Sequence, residues 1–146
     1  MEPFRTIVVA TDFGESSSQA LLRAADLAQR YASKLIVIHV VESATPAFPL
    51  ALTPEPEHVA AVVTQGLLSV VERLQETVPG ARSVLLKGSP AHQIVTFVEE
   101  NAVDLVVVGT HGRSGPSRWL LGSVAEKVVR SCSTAVLTVR DPRPAP

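Results

Sequence analysis

Five short runs of apolar, largely β-branched residues punctuate this chain, at Thr6–Ala10, Lys34–Val41, Ala81–Leu86, Leu105–Val108 and Thr134–Val139. Runs that lack the alternation of polar and apolar residues belong to strands covered on both faces, as in parallel sheets. Helix-periodic stretches separate them, so the order reads β-α-β-α-β-α-β-α-β. That alternation requires right-handed crossovers and an open, doubly wound α/β sheet with helices on both faces. Such sheets take ligands outside the carboxyl ends of their strands, where the strand order reverses.

The intervening stretches carry their own signals. Ser16 with Gln19 three residues on is a capping-box pattern, and Leu21, Ala24, Ala25, Ala28 and Tyr31 recur at helical spacing, predicting a helix over Ser17–Tyr31. Glu42–Pro56 holds prolines at 46, 49, 54 and 56, which suits a surface loop and a mobile cover rather than a helix or inner strand. Val59, Val63, Leu67, Val70 and Leu74 then mark one face of a helix over Glu57–Val78, stopped by Pro79-Gly80. Ser89-Pro90 opens a helix carrying Ile94, Phe97 and Val98, and Val124, Val128 and Cys132 mark the last one.

Composition narrows the class. The length of 146 residues, with 46% hydrophobic and 18% charged side chains, predicts one ordered domain over 1–146. Thirteen basic and 14 acidic residues are intermixed, so no basic stripe offers a nucleic-acid groove. Apolar runs such as Val59–Val63 fall far short of the roughly 18 residues needed to span a membrane, and no secretory leader opens the chain. Cys132 is the only cysteine, which fits a reducing cytoplasm and a buried structural thiol.

The chemistry concentrates between the fourth strand and the last helix, in Gly109-Thr-His-Gly112-Arg-Ser-Gly115-Pro-Ser-Arg-Trp-Leu-Leu-Gly122-Ser123. Glycines allow close approach to a ligand, and a helix beginning at Gly122-Ser123 offers unpaired amides and a positive dipole end to an anion. Arg113, Ser114 and Ser123 add donors. The segment is neither a Walker A loop nor a G-x-G-x-x-G fingerprint. Composition alone leaves two readings level: a phosphate-binding loop, or a glycine-shaped surface loop.

The spacing Gly109-x2-Gly112-x9-Gly122-Ser123 resembles the ATP-binding signature of the universal stress protein family, G-x2-G-x9-G-[S/T]. Val9-Ala-Thr-Asp12-Phe13, Gly88-Ser-Pro90 and the closing Ala135-Val-Leu-Thr-Val139 match the family in order along the chain. The resemblance implies a Rossmann-like sheet of order 3-2-1-4-5 that binds ATP, ADP or AMP, with magnesium accompanying the triphosphate. It implies that the backbone around Ala10 and Val40 faces adenine, that Thr11 also belongs to the nucleotide site, and that Asp12 lies near the ribose or the metal. Gly109, Thr110, His111, Gly112, Arg113, Ser114 and Gly115 would wrap ribose and phosphates, and Gly122, Ser123, Val124 and Ala125 would hold the phosphate chain.

Other residues have plainer expectations. Asp12 is also suited to bonding the turn backbone, and His39, inside an apolar strand, reads as a hydrogen-bonded core histidine. His111 reads as loop packing or a nucleotide contact rather than a base, and Trp119, Leu120 and Leu121 as a cluster packed beneath the loop. No nucleophile or zinc set is evident. If Thr134–Val139 is a sheet edge, its uninterrupted apolar run favours pairing with a second copy in a homodimer. The leading expectation is a nucleotide-dependent stress-response or signalling module that acts on a protein partner. A slow ATPase or nucleotide-transfer enzyme, and a nucleotide-independent interaction domain, are the alternatives.

Overall fold

The computed structural model describes residues 3–42, 56–111 and 120–141. Five strands, β1 (Thr6–Ala10), β2 (Lys34–Val41), β3 (Arg82–Lys87), β4 (Leu105–Gly109) and β5 (Ala135–Val139), alternate with four helices, α1 (Glu15–Tyr31), α2 (Pro56–Gln75), α3 (Pro90–Glu100) and α4 (Ser123–Ser131). The sheet is wholly parallel and its order is β3-β2-β1-β4-β5, which puts the reversal between β1 and β4.

The alternating side chains of each strand divide between two cores. Ile7 and Val9, Leu35 and Val37, and Leu105 and Val107 pack with Ala20, Ala24 and Ala28 of α1 and Leu67 and Val71 of α2. Val8, Ile36, Ile38, Val106 and Val108 pack on the other face with Ala91, Ile94 and Val98 of α3 and Ala125 and Val128 of α4. Both faces are therefore covered, which is why the strands read as continuous apolar runs. At the amino edge, Asp104 Oδ2 accepts the amides of Arg5 (2.9 Å) and Thr6 (2.8 Å), locking the start of β1 beside β4.

Several boundaries differ from those the sequence suggests. Helix α1 starts at Glu15 with Gly14 as its N-cap, so Ser16 is not the cap. Asp12 Oδ1 holds the Gly14 amide from outside the helix at 2.8 Å, a role that the local capping pattern does not disclose. Pro56, expected in the loop, is the first residue of α2, where its missing N–H is harmless. Helix α2 stops at Gln75 rather than Val78, and a closing turn follows in which Leu74 O accepts the amides of both Thr77 and Val78 (3.1 and 2.8 Å). Strand β3 is shifted by one residue, β4 runs on to Gly109, β5 begins at Ala135, and Cys132 caps α4 instead of continuing it. The expected cover over 43–55 lies outside the described residues.

Candidate functional site

The carboxyl ends of β1, β2 and β4 open into a cavity of about 590 Å³, within the usual range for small-molecule sites. Of the residues singled out from the sequence, Ala10, Thr11, Asp12, Val40, Gly109, Thr110, His111, Gly122, Ser123, Val124 and Ala125 line it. Gly112, Arg113, Ser114 and Gly115 fall outside the described residues. The sequence did not point to Ser17, Ile38, His39, Val59, Val63, Pro90, Ile94 or Val108, which also form its walls.

The β1 side is built by hydrogen bonds. The Thr11 amide continues the ladder to Ile38 O at 2.9 Å, and the chain then turns through Phe13 at φ 63°, a left-handed conformation costly for a residue with a Cβ. Thr11 Oγ1 accepts the Phe13 amide at 3.1 Å and Asp12 Oδ1 accepts the Gly14 amide at 2.8 Å, fixing the turn. Ser17 Oγ lies 2.8 Å from Asp12 Oδ1 and 3.0 Å from Gly14 O. It has one proton, and the carboxylate, closer and charged, takes it. Asp12 thus serves the turn through one oxygen, while its Oδ2 has no partner among the described residues.

His39 donates from Nδ1 to Thr11 O at 2.7 Å, since a carbonyl can only accept. Its ring lies 4.8 Å from that of Phe13, whose edge is 3.6 Å from where a Cβ on Gly66 of α2 would stand. His39 is therefore the hydrogen-bonded histidine that its apolar setting suggested, and it also forms part of the cavity wall.

The β4 side is built by proximity. A Cβ on Gly109 would stand 2.7 Å from the carbonyl carbon and 2.8 Å from the Cβ of Ser16, so only glycine lets the end of β4 lie against the first turn of α1. The Thr110 amide then bonds Val139 O (2.9 Å), and Thr110 O receives the Gly122 amide (2.6 Å), pinning the start of α4 to the end of β4. The first helical bond of α4 runs from Glu126 N–H to Gly122 O at 2.9 Å, so the amides of Ser123, Val124 and Ala125 precede the ladder. They lie at a helix end that favours an anion. Thr110 Oγ1 and His111 Nδ1 are 3.0 Å apart.

Cys132 is half-buried rather than fully buried, and burial with the nearby Glu99 carboxylate pushes its thiol above its ordinary range. Leu120 and Leu121 are exposed, and Trp119 lies outside the described residues. Among the described residues no group of three or more His, Cys, Asp or Glu could hold a metal, and no helix is long and apolar enough to cross a membrane.

A doubly wound parallel sheet, with a cavity where its order reverses and an anion-accepting helix end beside it, defines a class of small-ligand α/β proteins. Within that class the assignment is specific. A model of the universal stress protein family matches residues 3–140, and the chain belongs to that family. The chain is 32% identical over 147 residues to universal stress protein YxiE of Bacillus subtilis, covering 94% of this chain and 99% of the relative. Among solved structures it is similar to universal stress protein UspA from Lactobacillus plantarum, with a TM-score of 0.84 at 24% identity over 96% of this chain and 100% of that one. A universal stress protein solved in complex with cAMP has a TM-score of 0.74 at 29% identity, covering 94% of this chain and 98% of its own.

Proposed function

We propose that this protein binds ATP, or its ADP and AMP relatives, in the cavity between β1 and β4 and acts as a nucleotide-dependent stress-response or signalling module. The observation that carries the reading is one cavity that joins an apolar end, at Ile38, Val40, Ile94 and Val108, to an anion-accepting end at Gly122–Ala125. A nucleoside phosphate has that same division into a flat apolar base and an anionic chain. The solved relative with cAMP, an adenine nucleotide, supports the choice of base.

The residues present suit the group. The backbone at Ala10 and Val40 would meet adenine, and Thr11 and Asp12 the ribose. Gly109, Thr110, His111 and the amides of Ser123–Ala125 would meet the phosphates. Magnesium keeps most of its shell as water and phosphate oxygen, so the single free carboxylate oxygen of Asp12 is a sufficient protein ligand for it. The metal would neutralise phosphate charge. The protein's part is to bind and orient the nucleotide.

The same reading pairs two copies through β5. This edge strand carries neither charge nor proline, and Leu137 on it is exposed, which invites pairing with a second strand. A soluble, cytoplasmic homodimer whose partner surface responds to occupancy completes the proposal.

Isothermal titration with Mg-ATP tests it, beside Gly122→Arg. Gly122 has φ −60°, which any residue adopts, so the added side chain fills the phosphate end without straining the backbone. Saturable binding to the natural protein and its loss in the variant are expected. Absence of binding to the folded natural protein would overturn the nucleotide reading.

A further inference from the structure

The apolar stripe of α2 outruns the core it packs on. Leu67 and Val71 are buried against the sheet with Val37 and Ala81, as an amphipathic helix requires. Val63 and Val59 continue the same stripe at i−4 and i−8 from Leu67, yet both are only half-buried. At about 1.5 Å rise per residue they lie one and two turns beyond Leu67, past the point where the helix sits on the sheet. Gly66 marks the changeover, because the Phe13 ring lies beneath it at 3.6 Å from its Cβ position. The two valines instead line the cavity, facing space.

Their end of the cavity can be identified. Helix α2 packs on β2 and β3, whereas α4 packs on α3 and β5. Val59 and Val63 therefore stand on the β2 side, and the anion-accepting amides of α4 on the β4 side. Around the β2 side the wall is mostly apolar, with Ile38, Val40 and Val41 from the strand and Ile94 from α3, and His39 and Glu42 are its polar members. Half-exposed valines above an apolar strand end leave a slot suited to a flat, apolar ring.

We infer that Val59 and Val63 of α2 form the roof of the nucleobase subsite, so that occupancy by the base, and not by the phosphates, is sensed by the first two turns of α2. This inference rests on the nucleotide reading above and assigns one end of that site. A base seated in the slot completes the burial of the stripe and fixes Pro56–Val63 against the sheet. Phosphate alone, held at Gly122–Ala125, leaves that part of α2 as it is.

The test compares ATP with inorganic tripolyphosphate on the full chain and on a V59S/V63S variant. Each Val→Ser change deletes one methyl and turns the other into a hydroxyl, and the pair is expected to weaken ATP about ten-fold. Tripolyphosphate affinity should stay the same. Hydrogen exchange at the amides of residues 59–66 should slow with ATP and remain unchanged with tripolyphosphate. Unaltered ATP affinity in V59S/V63S would overturn the roof while leaving nucleotide binding intact. Equal weakening of both ligands would overturn it too, by showing a general disturbance. Failure of the natural chain to bind ATP at all would remove the nucleotide reading and, with it, this inference.

Discussion

The two strand ends flanking the reversal point are held in opposite ways. After β1 the chain is fixed by added polar groups: Thr11 Oγ1, Asp12 Oδ1 and Ser17 Oγ together hold a left-handed residue in place. After β4 it is fixed by something missing, the side chain of Gly109, whose absence lets the strand lie on the backbone of Ser16. Hydrogen bonds of the first kind lose strength in steps as partners are removed, whereas a steric fit of the second kind tolerates no addition. One helix serves both. Ser16 is the surface against which Gly109 packs, and Ser17 is a strut of the Asp12 turn.

That contrast sets an order of effects in chemical denaturation. Gly109→Ala forces a Cβ to within 2.7 Å of backbone that cannot move without displacing α1, and should cost about 3 kcal/mol, with nucleotide binding lost alongside. Asp12→Ala removes the acceptor for the Gly14 amide and the Ser17 hydroxyl, for an expected loss of about 2 kcal/mol. If Asp12→Ala proves as damaging as Gly109→Ala, the two ends do not differ in the way described.

Ser17→Ala takes away one donor but leaves the carboxylate its second bond, and about 1 kcal/mol is expected. Ser16→Ala should be the mildest. Its Oγ is buried without a hydrogen-bond partner among the described residues, so removing it leaves nothing newly unsatisfied. A change within about 0.5 kcal/mol of zero, on the stabilising side, fits the steric account. A loss of the size seen for Ser17→Ala would show that Ser16 contributes a polar contact after all.

The sequence disclosed these regions unequally, for a physical reason. Strands covered on both faces leave short, β-branched apolar runs bounded by turn residues, so β1, β2 and β4 could be read from the residues, while the sheet order came from the family resemblance. The glycine spacing likewise marked Gly109 and Gly122. The reason for Gly109 could not be read, because it depends on a contact with Ser16 that exists only once β4 and α1 are assembled. The capping pattern at Ser16 misled because the first helical bond, from Ser18 N–H to Gly14 O, starts α1 at Glu15 and leaves Ser16 inside the helix with its Oγ buried. Val59 and Val63 looked like ordinary core positions. Helical spacing identifies an apolar face but not where the sheet beneath it ends.

In the proposed function, one adenine nucleotide bridges both strand ends. Backbone amide shifts followed during a titration with Mg-ATP test it residue by residue. Saturable changes at Thr11, Asp12 and Val40 together with Thr110, Ser123 and Val124, sharing one binding curve, are the predicted result. Changes confined to another surface, or none at saturating nucleotide, would contradict it.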